Sequence, residues 1–137
     1  MRAALDRGGI EALMKAMERA WNAGDVKTYA RLYTLDAAYV TRAEVLWSGR
    51  KAIEQGHAAA FRGELKGTVL KIRIKRLCFL AAKNAVMDCA VELSAGARQQ
   101  IRKIRAITRF ELRKKGSRWE IVAARTREIP ARQQMRG

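Results

Sequence analysis

Histidine, proline and cysteine are almost missing from this sequence, which has one His, one Pro and two Cys in 137 residues. The cysteines, Cys78 and Cys89, form no Cys-x-x-Cys pair, and with a single histidine a zinc site is not expected. The sequence also has no P-loop, no metal-ligand cluster and no obvious nucleophile–base pair. We therefore predict neither a metal nor a cofactor.

Long apolar runs are missing too, although apolar residues make up 49% of the chain. A bilayer-spanning helix needs about 18 or more consecutive apolar residues, and no stretch approaches that length. The first ten residues lack the apolar core of a signal peptide. We expect a protein with a real hydrophobic core, no membrane contact and a cytoplasmic location.

Acidic residues are few, and the formal net charge is +16. Residues 1–64 hold 10 Lys and Arg against 8 Asp and Glu, whereas residues 65–137 hold 19 against 5. The second half therefore carries most of the positive potential. Two interpretations stay open: a well-solvated sheet face, or a surface for an anionic partner. The outward strand positions show no aromatic side chains that could stack on bases, so nucleic acid is the less favoured partner.

Helical spacing dominates the first 61 residues. A second helix begins after the capping residue Asp25 and ends near Thr34, and a third covers 51–61. Short strands are expected at 37–42 and 45–48. The first helix, over about 8–22, is indicated by apolar residues at steps of three and four: Ile10, Leu13, Met14, Met17 and Trp21.

After residue 67 the period changes to two, which is typical of strands with one buried face. Leu70, Ile72 and Ile74 alternate with basic residues, and the same pattern returns in three later segments. The turn at 114–117 separates the last two, and Pro130 ends the final strand. Helices followed by an antiparallel meander of four strands indicate an α+β fold, with the helices on the apolar face.

Two segments carry a resemblance to a known family. "AWNAGDVKTYARLYTLDAAYV" followed by "WSGRKAIEQGHAAAF", with "RWEIVAARTRE" near the end, resembles the SnoaL-like branch of the nuclear transport factor 2-like superfamily, and within it the SgcJ/EcaC-type subgroup. The resemblance implies one domain over 1–137, with a core at about 8–128 and a frayed tail at 131–137. It implies a cone-shaped, cystatin-like barrel in which three helices wrap a curved antiparallel sheet.

The resemblance also implies an apolar pocket between helices and sheet and a homodimer formed through the sheet. This fold hosts both enzymes and non-catalytic adaptors. Our first interpretation is a small-molecule binder or an enzyme for a hydrophobic cyclic or polyketide-like ligand. The alternative is a non-catalytic homodimeric interaction module whose basic sheet face takes an anionic partner.

Ketosteroid isomerase is the best-understood enzyme of this fold, and its catalytic pattern fails on this chain. Aligned on the family motifs, its oxyanion tyrosine falls at Met17, its general base at Thr41 and its protonated acid at Thr108. Proton abstraction next to a carbonyl needs a carboxylate base and aimed donors. We therefore expect no ketosteroid isomerase activity.

The candidate catalytic residues are His57 and Asp36. His57 is either an acid–base group in the pocket or a core residue bonded to backbone. Asp36 is either a pocket carboxylate or a turn residue. Thr108 would be a neutral hydrogen-bonding group there. The ligand-contacting aromatic residues, which could equally be plain core, are Trp21, Tyr33, Tyr39, Trp47 and Phe61.

Charged residues of the late strands leave a further choice. Asp88 and Glu92 share one strand face, and Arg105 and Arg109 lie two apart on the next strand, so the ladder could pair them. They form either a polar cluster that orients a ligand or charge pairs on the outer face. A two-residue turn at Lys83-Asn84 would set Cys78 opposite Cys89, but we interpret both as small core residues.

Overall fold

Three helices precede most of the sheet, as expected from the change of period. A computed structural model describes residues 2–96 and 102–130, and the tail predicted at 131–137 lies outside them. The elements are α1 (Arg2–Asn22), α2 (Val26–Ala30), β1 (Tyr33–Val40), β2 (Leu46–Ser48), α3 (Arg50–Arg62), β3 (Val69–Ala81), β4 (Asn84–Ala95), β5 (Arg102–Lys115) and β6 (Arg118–Glu128).

The six strands form one curved, unclosed sheet in the order β2-β1-β6-β5-β4-β3. The four long strands are the predicted antiparallel meander. The parallel pairing of β1 with β6 was not predicted, and it joins the short strand pair to the meander. The predicted α+β class and cystatin-like architecture are confirmed, with the qualification that the sheet does not close.

Alternation along the long strands divides the sheet into an inner and an outer face. On β4, Met87 and Cys89 are fully buried beneath the helices, while Asp88 and Glu92 point outward. The inner face packs against the apolar stripe of α1, which includes Ile10 and Met17. The predicted core face of the first helix and the predicted basic outer face are both found.

The second helix was predicted too long. Asp25 does cap it, accepting hydrogen bonds from the Thr28 amide at 3.1 Å and hydroxyl at 2.6 Å. The helix nevertheless ends at Ala30, because Tyr33 joins the sheet beside Ile121 and is completely buried there. Tertiary burial overrides the local helical spacing at this point.

The cysteine hairpin was also predicted wrongly. Ala81 pairs with Asn84, so the turn falls at 82–83, and two irregularities in β3 shift the register. Cys78 consequently lies beside Val86 and is exposed, whereas Cys89 lies beside Ile74 and is buried. The interpretation as a small core residue is therefore confirmed for Cys89 and wrong for Cys78. The two thiols occupy opposite sheet faces and cannot form a disulfide within the chain. Burial raises the pKa of the Cys89 thiol to about 12.

Within the described residues, no helix is both long enough and apolar enough to cross a membrane.

The first helix begins at Arg2, earlier than the predicted residue 8. Its extra turns bring Asp6, which is 5% exposed, to the β5–β6 turn, where Lys114 Nζ donates to Asp6 Oδ1 at 2.7 Å. This ion pair links the first turns of α1 to the β5–β6 turn.

Asp6→Ala should lower the free energy of unfolding by roughly 1–3 kcal/mol, because it leaves the half-buried Lys114 ammonium without its partner. The control is Arg7→Ala, which removes a solvent-exposed pair with Glu11 at 4.0 Å and should cost at most about 0.5 kcal/mol. Urea unfolding followed by far-ultraviolet circular dichroism measures both. Equal losses in the two variants would contradict the assigned role.

Candidate functional site: a ring-lined cavity between the helices and the sheet

A cavity of about 80 Å³ lies between the helices and the inner sheet face. Its walls come from α1, α2, α3, β1 and β2 on one side and from β3 to β6 on the other. Most of the wall is apolar or aromatic. The lining residues are Met17, Trp21, Tyr29, Tyr33, Tyr39, Thr41, Arg42, Trp47, His57, Leu70, Ile72, Val91, Leu93, Ile104, Ala106, Thr108, Phe110 and Thr126.

His57 lies at the centre of a group of rings. It is 3% exposed, and the ring centroids of Tyr29, Tyr39 and Trp47 lie 4.7, 5.0 and 5.2 Å from its own. Trp21 lies at 5.7 Å, nearly perpendicular to the imidazole. Helix α3 supports this position because Ile53 and His57 are its two buried residues, one turn apart.

The tautomer of His57 follows from its single hydrogen bond. Its Nδ1 lies 2.9 Å from the carbonyl oxygen of Ile53, and a carbonyl can only accept, so Nδ1 carries the proton. Burial lowers the pKa of His57 from 6.5 to about 4. At neutral pH the ring is therefore uncharged, and Nε2 has a lone pair that no described residue uses.

Two buried tyrosines supply a hydroxyl pair. The hydroxyl oxygens of Tyr29 and Tyr33 are 2.9 Å apart, and burial raises the pKa of both well above 10.0. Both groups therefore stay protonated. One hydrogen bond between two hydroxyls uses one of their two hydrogens, so the pair retains one O–H donor.

A second hydroxyl chain crosses the sheet. Thr108 and Thr126 are directly opposite each other on β5 and β6, with hydroxyl oxygens 2.9 Å apart. The Tyr39 hydroxyl continues the chain 3.3 Å from Thr126. Three hydroxyls joined by two hydrogen bonds again leave one donor. His57 and these two hydroxyl chains thus offer one neutral nitrogen acceptor and two hydroxyl donors.

Trp47 covers the more exposed end of the cavity. It stacks on Tyr39 with centroids 5.4 Å apart and an interplanar angle of 20°. Its ring lies so close to α3 that a Cβ at Gly56 would fall 2.5 Å from two ring atoms. Arg42 lines the same end and is bound to Glu128 at 2.6 Å and Glu64 at 3.3 Å.

The structure brings six of the eight predicted site residues to the cavity wall: Trp21, Tyr33, Tyr39, Trp47, His57 and Thr108. Phe61 does not line it; the ring packs edge-on against Trp21, centroids 4.7 Å apart, beside a separate surface groove. Asp36 is exposed and accepts a hydrogen bond from the Thr34 hydroxyl at 3.0 Å. The interpretation of Asp36 as a pocket carboxylate is therefore wrong, because β1 turns its side chain to solvent.

Sequence reasoning missed Tyr29 and Thr126. Tyr29 ends up beside Tyr33 because Tyr33 lies at the start of β1 and not in the helix, so only the fold brings the two hydroxyls together. Thr126 could not have been paired with Thr108 from the β5–β6 turn alone, because an irregularity between Glu111 and Leu112 shifts the register by one residue. The three positions aligned with the ketosteroid isomerase set, Met17, Thr41 and Thr108, all lie on the cavity wall, but none is a carboxylate.

The charged residues of β4 and β5 lie outside the cavity. Arg109 donates two hydrogen bonds to Asp88, at 2.8 and 3.0 Å, and these lower the pKa of that carboxyl. Arg105 donates to Glu92 at 3.2 Å. Both pairs are on the outer sheet face, so of the two interpretations the outer charge pairing applies and ligand orientation in the cavity does not.

Solved structures show the same architecture. The chain matches a cystatin-like domain of unknown function from Nostoc punctiforme at TM-score 0.83 and 22% identity, covering 95% of this chain and 82% of that one. A ketosteroid isomerase-like protein from Erwinia carotovora atroseptica matches at TM-score 0.73 and 20% identity, and the match covers 90% of this chain and 95% of that one. A candidate scytalone dehydratase from Novosphingobium aromaticivorans matches at TM-score 0.81 and 14% identity, and the match covers 94% of this chain and 87% of that one.

At these identities the likeness establishes the fold alone. No curated protein matches the sequence. The profile of the SnoaL-like domain matches residues 10–125, a span from the first helix to the last strand that includes every residue of the cavity wall except Thr126. The chain belongs to the SnoaL-like domain family.

Proposed function

We propose that this chain binds a small, planar, apolar molecule that carries a hydroxyl group, within the cavity and against His57. The observation that carries the proposal is the unused Nε2 lone pair of a neutral, buried imidazole surrounded by aromatic rings. Aromatic walls favour a flat ligand, and a few fixed polar atoms set its orientation. A ligand O–H would donate to Nε2.

The two hydroxyl chains supply the complementary contact. The donor left by Tyr29 and Tyr33, or the one left by Tyr39, Thr126 and Thr108, can reach a ligand oxygen. Since burial holds the tyrosine pKa values above 10.0, these groups donate hydrogen bonds and do not ionise. A hydroxylated ring or a cyclic hydroxyketone fits this set of one acceptor and two donors.

Binding is better supported than acid–base catalysis. The pKa of His57 is about 4, the cavity wall of the described residues contains no carboxylate, and the tyrosines titrate above 10.0. A general acid or base works best with a pKa near the operating pH. None of these groups meets that condition at neutral pH, so the cavity holds and orients a ligand without an evident proton-transfer partner.

Cavity size limits the ligand class. At about 80 Å³ the cavity is smaller than the roughly 150 Å³ cavity that accepts benzene in an engineered protein. A single ring therefore enters only if a wall residue moves, and the polyketide-like ligands expected from sequence need more room still. Trp47 is the residue best placed to move, because it is half-buried and stands on a three-residue strand.

The homodimer expected from the resemblance stays a prediction, and the outer face sets a condition on it. Two basic faces repel unless their carboxylates pair across the interface. Asp88 and Glu92 are the carboxylates at the middle of that face, and Arg109 and Arg105 already hold them within the chain. A sheet-to-sheet dimer would require these pairs to be shared or exchanged.

Phenol should bind in the cavity and should bind roughly 5–10-fold more tightly than anisole, which has the same ring but no O–H to donate to His57. His57→Phe should abolish this preference, and the exposed Asp36→Asn should keep it. Isothermal titration calorimetry measures the six affinities, those of phenol and anisole for the wild type and for each variant. No phenol binding, or the same preference in His57→Phe, would contradict the proposal.

The neutral state of His57 predicts a pH dependence of stability. Because the folded pKa of about 4 lies below the ordinary 6.5, the unfolded chain takes up the proton first as pH falls. Stability is full above 6.5 and should drop by roughly 2 kcal/mol between about pH 7.5 and pH 5. No other histidine exists to mask this change.

His57→Phe should flatten this dependence over the same range, whatever its absolute stability. Urea unfolding across the pH series gives both slopes. An equally steep decline in wild type and variant would show that His57 is not the titrating group.

Gly56→Ala tests the position of Trp47. The added methyl group overlaps ring atoms and should displace the indole, lowering the free energy of unfolding by about 1–3 kcal/mol and shifting tryptophan emission to longer wavelength. Gly8→Ala, on α1 in open space, is the control and should stabilise by about 0.5–1 kcal/mol. Identical behaviour of the two variants would exclude the tight packing of Trp47.

A further inference from the structure

The outer face of the sheet has a regular arrangement that the cavity does not explain. Strand register places Arg73, Ala90, Ile107 and Arg127 in one row across β3, β4, β5 and β6. The row therefore has a cation at each end and two apolar residues between them. The flanking rows contain the ion pairs Arg105–Glu92 and Arg109–Asp88 at their centres.

Cations on β3 and β6 border this surface on its two sides, and we call these two groups the margins. Their side chains have no ion-pair partner among the described residues. The margins are Lys71, Arg73 and Lys75 on β3 and Arg125 and Arg127 on β6. All five are exposed, and within residues 2–96 and 102–130 none of their side chains makes a hydrogen bond or an ion pair. In contrast, the two arginines between the margins are neutralised by carboxylates.

A groove of about 630 Å³ lies along the β3 margin and over β4 and β5, and strand register places the β6 margin beside it, with Arg127 opposite Ile107. Ala90 and Ile107, both half-buried, form its apolar floor, and Ile129 adds to one end. Its wall also contains Lys71, Arg73 and Lys75 and the ion pair of Arg105 with Glu92. Covering the floor with apolar atoms would stabilise a complex by burying apolar surface. The cations of the margins would form charge-assisted hydrogen bonds with carboxylates or phosphates.

The spacing of the margins matches an α-helix. Three strand intervals of about 4.8 Å separate β3 from β6, which puts the margins roughly 14 Å apart. A helix with its side chains is about 10–12 Å wide. A helix in the groove can therefore direct an apolar stripe to the floor and acidic side chains to both margins.

We propose that the outer groove docks an acidic amphipathic helix of a partner protein. Charge complementarity selects acidic flanks, and the floor of Ala90 and Ile107 selects an apolar stripe. This surface is on the opposite face of the sheet from the cavity, so it adds a partner site that is independent of ligand binding.

Nucleic acid and a second copy of this chain fit the groove less well. The outward positions of β3 to β6 in the described residues hold no aromatic ring for base stacking, and the apolar floor of Ala90 and Ile107 offers a phosphate backbone no partner. A second copy would bring the same unpaired cations against the first, because an identical face carries the same charge.

The test uses a fluorescein-labelled amphipathic peptide of about 20 residues, with a Leu/Ala stripe flanked by Glu on both sides. Fluorescence anisotropy at physiological salt should give saturable binding. Arg73→Glu combined with Arg127→Glu should weaken it by roughly tenfold or more. Lys71→Glu with Arg125→Glu provides a second pair in case the first variant folds poorly.

The matched control reverses Arg19 and Lys51, two exposed cations on α1 and α3, with the same change in net charge; it should leave affinity within about twofold. Ile107→Thr should weaken peptide binding but not binding of a DNA duplex. Equal losses in control and margin variants, an unaffected Ile107→Thr, or tighter binding of duplex than of peptide would overturn the proposal. So would a dimer in sedimentation that the margin variants dissociate.

Discussion

The strict alternation along β4 and β5 is the constraint on which the rest of the structure depends. It gives the sheet one face that the helices must cover and one outer face, on which β5 presents mostly charged side chains and β4 presents Asp88 and Glu92. Met87 and Phe110 sit opposite each other inside, and Asp88 and Arg109 sit opposite each other outside. A shift of register by one residue would exchange the two faces and leave neither the cavity nor the groove.

On the inner face, aromatic rings surround the polar imidazole of His57 on the cavity wall. Trp21, Tyr29, Tyr39 and Trp47 all approach His57, yet none of them bonds Nε2. The backbone of Ile53 satisfies only one nitrogen. Nε2 has no hydrogen-bond partner among the described residues and His57 lines the cavity, so a ligand O–H can donate to it. The same rings leave little space in the cavity. The affinity for a ligand should therefore depend on how easily the Trp47 side chain moves aside.

Much of this could be predicted from the chain, and the failures have physical reasons. The change of period at residue 67 predicted the meander, and the three-and-four spacing from Ile10 to Trp21 predicted the buried face of α1. The parallel pairing of β1 and β6 and the early end of α2 depend on contacts of Tyr33 with Ile121, far apart in sequence. The polar wall was only half predicted: Thr108 was recognised, but its partner Thr126 depends on strand register. Asp36 failed because a strand residue next to a buried position points the other way.

The two faces also differ in how they respond to charge. The chain carries +16, yet the shift in the pKa of His57 comes from burial and one backbone hydrogen bond, with no contribution from any named cation. On the outer face the opposite holds, since the pKa of Asp88 is lowered chiefly by Arg109. The sheet and its packed helices therefore separate a neutral cavity from a strongly cationic surface. A ligand is selected in the cavity by shape and hydrogen bonding, and a partner is selected outside by charge, so salt should weaken the second interaction while leaving the first almost unchanged.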